Sequence, residues 1–275
     1  DHRDLHSFPT RRSSDLSTME KEGIIRLLLF LSAAMALALW EVAAPRRIPE
    51  PGRMRRWIDN LGIVAISTLL VRIIFPALPV VLAWEKGWGL IPRLGLLSPL
   101  EVILGVFALD MFIYFQHRAF HAWRPLWRLH RMHHADTFFD FSTGVRFHPL
   151  EILLSMAFKL ALVIVLVPPA LSVLLFEIIL NVVSMFNHAN VRLPEGLDGL
   201  LRMAVVTPDM HRVHHSTDAR EFNRNFGFNF PWWDRIFGTY KAQPELGHES
   251  MPIGLNIFRD RKFRSLPQML AMPFR

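Results

Sequence analysis

Long apolar runs that are nearly free of charge dominate this 275-residue chain and limit the folds open to it. Hydrophobic residues make up 51% of the sequence, and they collect in stretches instead of being spread evenly. A hydrocarbon core of about 30 Å requires about 20 apolar residues in a helix, because lipid offers no partner for unpaired backbone groups. The pattern therefore predicts an all-α integral membrane bundle of four to five apolar helices.

The candidate helices include a pair that is separated by prolines. Five apolar runs cover residues 23–44, 61–84, 97–115, 149–167 and 170–186. Pro76 and Pro79 are expected to kink the second run. Pro168 and Pro169 divide the last two runs, which predicts a helical hairpin that turns at the far face of the membrane or within it.

The charges between the runs predict the orientation. The segment from Arg46 to Arg56 contains five arginines, and loops rich in Lys and Arg stay on the cytoplasmic side. Counting crossings from this loop brings His117, His148 and His188 to the same face. We therefore expect a histidine-rich helical cap on the cytoplasmic side of a bacterial inner membrane. The net charge of +7 does not indicate a nucleic-acid partner, because the basic residues flank membrane spans.

Two further features narrow the chemistry and the extent of the fold. The chain has no cysteine, which excludes disulfides, iron–sulfur clusters and thiolate zinc sites, so a metal must be bound by His, Asp, Glu or Asn. Residues 1–18 are polar and resemble a translated sequencing adaptor upstream of a natural start at Met19. We expect this leader to be non-native and to lie outside the fold, together with His2 and His6.

Ten of the thirteen histidines fall into a pattern at the ends of the apolar runs. Eight form three boxes with the spacings H-x-x-x-H, H-x-x-H-H and H-x-x-H-H: His117, His121, His130, His133, His134, His211, His214 and His215. Positions i, i+3 and i+4 share a helix face, so each box groups its imidazoles. One tetrahedral zinc takes about four ligands, so eight or more histidines indicate two metal ions. His148 and His188 stand singly and bring the candidate ligands to ten.

The donor set also bears on the identity of the metal. Imidazole binds iron, zinc, copper and nickel, but zinc has no redox chemistry, and the zinc-hydrolase signatures H-E-x-x-H and H-x-x-E-H are absent. Two iron ions facing a membrane suit the oxidation of a lipid C–H bond with O2. A zinc-dependent membrane enzyme or a structural zinc protein with the same ligands is the alternative. A metal transporter is a third hypothesis, but it predicts polar residues at mid-bilayer.

The sequence around the boxes resembles the fatty acid hydroxylase and sterol desaturase superfamily. The resemblance covers residues 97–240 and includes, beside the boxes, these segments: Asp110–Arg118, Arg146–Glu151, Asn187–Asn190, Thr207–Pro208, Asn225–Gly227 and Trp233–Tyr240. It implies an O2-dependent two-iron enzyme, with zinc as a substitute metal, that hydroxylates or desaturates a membrane lipid. The eight box histidines are then ligands, His188 is a ninth, and His148 is a tenth or supports the ligands.

Electrons are expected from an external electron-transfer protein, because the sequence shows no Gly-rich dinucleotide loop and no haem-carrier motif. Three aspartates are candidates for supporting the ligands. Asp136 and Asp218 each follow an H-x-x-H-H box and are candidates for fixing an imidazole tautomer, with capping of a turn as the alternative. Asp110 lies about two helical turns before His117, where it supports the site or makes an interhelical hydrogen bond.

The predicted organisation has four parts. They are a leader at 1–18, N-terminal transmembrane helices at 19–96, a catalytic domain at 97–243 and a C-terminal tail at 244–275. Arg146 and Glu151 are expected to pair at the start of the hairpin. Asn225, Trp233 and Asp234 are expected to fold the cap instead of taking part in the chemistry.

Overall fold

Helices form the framework of the computed structural model, which describes residues 13–49, 52–75 and 89–275, with the backbone alone for residues 13–20. In chain order the helices are α1 (Ser13–Ala43), α2 (Arg53–Ile74), α3 (Ser98–Ala122), α4 (Arg124–His134), α5 (Pro149–Leu166), α6 (Ala170–Asn187), α7 (Glu195–Leu201), α8 (Pro208–His214), α9 (Ala219–Phe222), α10 (Trp232–Ile236), α11 (Gly247–Ser250) and α12 (Leu266–Ala271). Short 3-10 helices cover Pro92–Leu94, Phe141–Val145, Arg261–Arg264 and Met272–Phe274.

Five of these helices are long and apolar enough to cross a membrane by length and composition: α1, α2, α3, α5 and α6. The described ranges contain no β-strand, only isolated bridges. The prediction of an all-α membrane bundle is therefore confirmed. The remaining, shorter helices connect the ends of the long ones and form the cap.

The hairpin of α5 and α6 follows the predicted bounds closely. Val167 ends α5 in a left-handed backbone conformation (φ 45°), two prolines follow, and α6 begins at Ala170. A proline cannot continue a helix, because it lacks the backbone N–H and clashes with the preceding turn. The hairpin packs tightly on α3, since a Cβ atom added at Gly105 would lie 2.6 Å from the Ser172 hydroxyl oxygen.

Two helices differ from the predicted runs. α2 begins at Arg53, so three arginines that were expected in a loop lie in its first turn. The aliphatic part of an arginine side chain can lie along an apolar surface while the charged end reaches a polar partner. A hydropathy profile does not show this, so the predicted apolar run begins after the first turn of α2. α3 continues to Ala122, so both histidines of the first box belong to it. The kinks expected at Pro76 and Pro79 lie outside the described residues.

The two ends of the chain also bear on the expected organisation. Residues 1–12 lie outside the described residues, and α1 begins at Ser13, within the predicted leader. The C-terminal residues pack onto the helix that carries the second box: Met269 and Met272 share an apolar cluster with Met132 of α4. Arg128 donates a hydrogen bond to the Pro273 carbonyl oxygen (2.8 Å). The four-part division itself stays a prediction.

A charged triad lies among the long helices and was not predicted from the sequence. Glu177 of α6 pairs with Arg26 of α1, and it accepts a hydrogen bond from Lys159 Nζ of α5 (2.5 Å). Isolated charges are costly in lipid, so intramembrane ionic side chains face the bundle interior and pair with one another. The triad therefore ties α1 to both limbs of the hairpin.

Replacing Glu177 with Gln is expected to destabilise the bundle, because Arg26 and Lys159 would lose their shared carboxylate in a medium of low polarity. Removing one partner of a buried ion pair lowers the free energy of unfolding by about 3–5 kcal/mol. Thermal unfolding in detergent measures this change. Glu101→Gln, in the first turn of α3, is the matched control and should cost less than about 1 kcal/mol. Equal losses in the two variants would show that the triad does not stabilise the bundle.

Candidate metal centre

Nine histidine side chains converge in two neighbouring groups at one end of the long helices. The first group has five members: His117, His121, His130, His134 and His214. The second group has four members: His133, His188, His211 and His215. In each group the ligating nitrogens lie within 4.8 Å of one another, and all members are buried except the half-buried His121. The structure thus brings together the eight box histidines and His188.

Each H-x-x-H-H box contributes to both groups. On α4, His130 and His134 belong to the first group, whereas His133 belongs to the second. On α8 and its C-cap the arrangement is reversed. His214 joins the first group, whereas His211 and His215 join the second. The spacing predicts a shared helix face, but this division depends on how α4 and α8 face each other. The two groups are therefore linked through both helices.

The distances between ring nitrogens suit ligands of a shared ion. In the first group, His117 Nε2 lies 3.1 Å from His130 Nε2 and 3.0 Å from His214 Nε2. In the second group, His188 Nε2 lies 3.2 Å from the Nε2 atoms of two other members. Nitrogens about 2.1 Å from one ion lie about 3.0 Å apart at right angles and about 3.4 Å apart in a tetrahedron.

Hydrogen bonds on the outer side of the rings set the direction of the lone pairs. The Nδ1 atoms of His117, His188 and His214 each lie 2.7 Å from a backbone carbonyl oxygen. A carbonyl oxygen only accepts, so Nδ1 carries the proton in each ring. The unprotonated Nε2 lone pairs then point into the groups, as metal ligation requires.

A carboxylate takes the same position beside His130. Glu151 Oε1, in the first turn of α5, lies 2.7 Å from His130 Nδ1. The expected pairing of Glu151 with Arg146 is not observed, because Arg146 donates instead to the Met132 carbonyl oxygen (3.1 Å). Sequence reasoning missed this role, since only the packing of α5 against α4 brings the two residues together.

Burial and missing partners show what the histidine groups require. Both ring nitrogens of His211 are buried without a hydrogen-bond partner in the part of the chain that the structure describes. Burial lowers the pKa of His133, His134, His211 and His215 well below its usual value, and that of His188 to about 3, so these rings are neutral. Converging lone pairs of neutral rings are unfavourable unless a cation lies between them. The residues present therefore fit two metal ions.

The structure does not bring His148 to either group. Its Nδ1 accepts a hydrogen bond from the Leu150 N–H (3.2 Å) at the start of α5, and its Nε2 lies 3.1 Å from the Leu270 carbonyl oxygen. Both ring nitrogens are engaged with backbone groups, and the ring lies outside both histidine groups. Asp110 is also directed away, because it accepts a hydrogen bond from Trp233 Nε1 (2.7 Å) and joins α3 to the cap.

Asp136 and Asp218 follow equivalent boxes but have different surroundings. Asp136 is fully buried and pairs with Arg56 (2.6 Å). Burial alone would raise the pKa of Asp136, but Arg56 and Arg146 outweigh it and lower the pKa below its usual value. Asp218 lies nearer the surface, where it caps α9 and pairs with Arg220 (2.7 Å). Within the described part of the chain no hydrogen bond joins either carboxylate to a histidine ring, and Asp218 has the capping role given as the alternative.

The C-terminal segment of the cap holds the first group from outside. Asp234 accepts hydrogen bonds from the backbone N–H groups of Phe226 and Gly227, both at 2.8 Å. The Phe226 carbonyl oxygen is in turn the partner of His117 Nδ1. Asn225 donates to a backbone carbonyl oxygen of α8 (2.8 Å). These residues position histidines of both groups through the backbone, which fits the expectation that they fold the cap.

Aromatic rings surround both groups and limit the access of water. Phe147 stacks on His133 with ring centroids 4.4 Å apart, and Phe139 stacks on His188 at 5.2 Å. On the other side, the Phe222 ring lies 4.6 Å from the ring of His121. Such a shell lowers the local polarity, which strengthens the binding of a cation by neutral nitrogens.

Comparison with known proteins identifies relatives. Ornithine lipid hydroxylase OlsE of Rhizobium tropici is 30% identical over 175 residues, which cover 63% of this chain and 50% of that protein. Alkylglycerol monooxygenase of Homo sapiens is 30% identical over 164 residues, 60% of this chain and 33% of that protein. Lathosterol oxidase of Homo sapiens is 28% identical over 143 residues, 51% of this chain and 45% of that protein.

The chain spans half or less of the length of these curated relatives. No solved structure matches it. A family model described as fatty acid hydroxylase matches residues 102–239, half of the chain, and this range contains all nine converging histidines. The chain therefore belongs to the fatty acid hydroxylase family.

Proposed function

We propose that the protein is a membrane-bound di-iron oxygenase that hydroxylates or desaturates a lipid C–H bond with O2 and external electrons. The observation that carries this proposal is the division of nine histidines into groups of five and four donors at the end of apolar helices. The relatives, named as a lipid hydroxylase, a monooxygenase and a sterol oxidase, support an oxidoreductase that acts on lipids.

The metal ligands of this proposal are the nine converging histidines. Five imidazoles exceed the four ligands of a tetrahedral zinc site, whereas the four of the second group would also satisfy zinc. Iron bound to these nitrogens would supply the activation of O2, a redox chemistry that zinc lacks. A zinc enzyme or a structural zinc protein remains the competing proposal, and metal analysis together with O2-dependent turnover distinguishes the two.

The reaction needs electrons from a second protein. Hydroxylation converts a C–H bond, O2, two electrons and two protons into a C–OH group and water. Desaturation removes two hydrogens from adjacent carbons and, with the same O2, electrons and protons, gives two waters. We therefore propose an external electron-transfer protein and a membrane lipid as the partners.

The histidines and aromatic rings of the chain have distinct tasks in this reaction. Glu151 and the backbone carbonyl oxygens accept hydrogen bonds from the Nδ1–H groups. The rings therefore keep one orientation during the reaction. The ring of Phe147 lies 4.4 Å from that of His133 in the second group, and the ring of Phe228 lies 4.9 Å from that of His117 in the first, measured between ring centroids. They provide an apolar boundary against which a lipid carbon can approach without water.

Substituting His133 tests the metal groups. His133→Ala removes the one donor that α4 gives to the second group, so we expect bound metal to fall from two ions towards one and turnover to be lost. His148→Ala is the matched control, because its ring lies next to the same bundle without facing either group. Elemental analysis and lipid mass spectrometry of both purified variants measure the outcome. Full metal and turnover in His133→Ala would refute the ligand assignment.

Substituting Glu151 tests the support of a single ligand. Glu151→Gln keeps an acceptor oxygen but removes the negative charge beside His130, so metal affinity or activity should fall about 10- to 100-fold. Asp218→Asn alters a carboxylate that has no hydrogen bond to a histidine in the described structure, so it should change neither. Chelator competition and turnover rates distinguish the variants. Equal values for both would mean that Glu151 does not support His130.

The cytoplasmic position of the histidine groups is also a proposal, and the absence of native cysteine makes it testable. A cysteine replacing Lys262, an exposed residue of the C-terminal segment, should react with a membrane-impermeant maleimide only after the cells are opened. A cysteine replacing Arg93, before α3, should react in intact cells. The reverse pattern would invert the proposed orientation.

A further inference from the structure

A cavity of about 580 Å³ lies beside the second histidine group, and the proposed chemistry does not use it. Its walls come from the α1–α2 connection, the loop that follows the second box, the residues after His188, and α11. Five arginines line it: Arg46, Arg47, Arg53, Arg56 and Arg192. Three carboxylates line it as well: Glu41, Asp140 and Glu249. The wall therefore carries two more positive than negative side chains.

The carboxylates are already committed to other partners. Glu41 accepts hydrogen bonds from the backbone N–H groups of Phe141 (2.7 Å) and Asn190 (2.8 Å). Glu249 pairs with both Arg46 (2.7 Å) and Arg192 (2.6 Å). Asp140 pairs with Arg56 and caps the following 3-10 helix. The carboxylates of the wall thus already have hydrogen-bonding or ionic partners, and positive side chains remain in excess.

Arg47 and Arg53 form no salt bridge with a carboxylate among the residues that the structure describes, although Glu249 lies near enough to Arg47, and Glu41 near enough to Arg53, for an electrostatic interaction. Arg47 Nη1 donates to the carbonyl oxygens of His248 (3.0 Å) and Met251 (2.8 Å), which fixes the guanidinium in the wall. Burial and the neighbouring Arg46 lower the pKa of Arg47, the direction expected where positive charges crowd together. The Arg53 guanidinium lies over the Trp57 ring at 5.4 Å. Both guanidinium groups are held in place, so an anion can bind without ordering them first.

The cavity adjoins the metal centre through Phe139 and Asn190. Phe139 lines the cavity and also stacks on His188 at 5.2 Å, so one aromatic ring separates the cavity from the second group. The Asn190 side chain bridges the backbone N–H and carbonyl oxygen of Arg47, each at 2.9 Å. Asn190 lies two residues after His188, so one short segment contacts Arg47 in the cavity wall and also contributes to the second histidine group.

We propose that this cavity binds the oxyanion of a lipid headgroup, and that lipids with such headgroups are the substrate class; the second statement rests on the proposed function. The planar guanidinium fork matches the paired oxygens of phosphate and carboxylate groups. α1 ends at Ala43 and α2 begins at Arg53, so the cavity lies at the boundary where headgroups are found. This position favours a lipid over a soluble anion.

The test measures binding to the purified full chain in a neutral detergent by isothermal titration calorimetry. The probes are dihexanoylphosphatidylglycerol, whose headgroup carries a phosphate oxyanion, dihexanoylglycerol, which has the same chains but no phosphate, and inorganic phosphate. We expect the anionic lipid to bind at least about tenfold more tightly than either of the other probes, since charge-assisted hydrogen bonds discriminate by this order.

Variants locate that binding. Arg53→Gln and Arg47→Gln should each weaken the binding of phosphatidylglycerol about tenfold, whereas Arg53→Lys should weaken it less than Arg53→Gln does, because the charge is kept and the guanidinium fork is lost. Arg261→Gln is the matched control, because it removes an exposed arginine outside the cavity. Arg53 makes no hydrogen bond in the described structure, so its substitution tests the site even if Arg47→Gln misfolds.

Several outcomes would overturn the inference. Equal affinity for the two lipids, or an equal loss in Arg261→Gln, would remove the headgroup site, and tighter binding of inorganic phosphate would assign the cavity to a soluble anion. Metal content and O2-dependent turnover in the same preparations separate this inference from the proposed function. Arginine-dependent lipid binding without metal or turnover would keep the headgroup site and refute the oxygenase. Two metals and turnover without a lipid preference would refute the headgroup site alone.

Discussion

The convergence of lone pairs from nine imidazoles, all but one of them buried, is the constraint on which the rest of the structure depends. Where the outer nitrogens have partners, those partners accept hydrogen bonds, so the inner nitrogens face one another in an arrangement that a cation would stabilise. Each group draws its members from three helices or their caps, and α4 and α8 serve both. The bundle must therefore be assembled before either group is complete, and a bound metal would stabilise the assembled form over the unfolded chain.

Much of this arrangement follows from the sequence, because apolar length and histidine spacing are local properties. The five spans, the hairpin turn at Pro168 and the convergence of the boxes with His188 were predicted from them. The division of each H-x-x-H-H box between two groups was not, since it depends on the angle at which α4 meets α8. His148 shows the same limit: its position beside an apolar run resembles that of His188, but only packing decides that it caps α5.

The charges inside the bundle show why polar positions were harder to anticipate than apolar ones. Lys159 and Glu177 lie singly in apolar runs, and their pairing with Arg26 requires three helices to meet. Asp110 and Glu151 are both carboxylates on long helices, yet one binds a tryptophan of the cap and the other binds a histidine of the first group. A sequence indicates that such residues must find partners in a membrane, but the fold decides which partners they find.

The electrostatics of the histidine groups and of the adjoining cavity both favour the binding of an anion. All nine proposed ligands are imidazoles, and Glu151 is the one carboxylate hydrogen-bonded to a ligand ring in the described structure, so two bound cations would keep most of their positive charge. The adjoining cavity adds an excess of arginine, one aromatic ring away. Positive charge concentrated in a region of low polarity attracts an anion more strongly than the same charge in water. The same field that makes an oxyanion headgroup favourable would disfavour a cationic amphiphile, so charge alone gives the proposed site a basis for selecting its lipid.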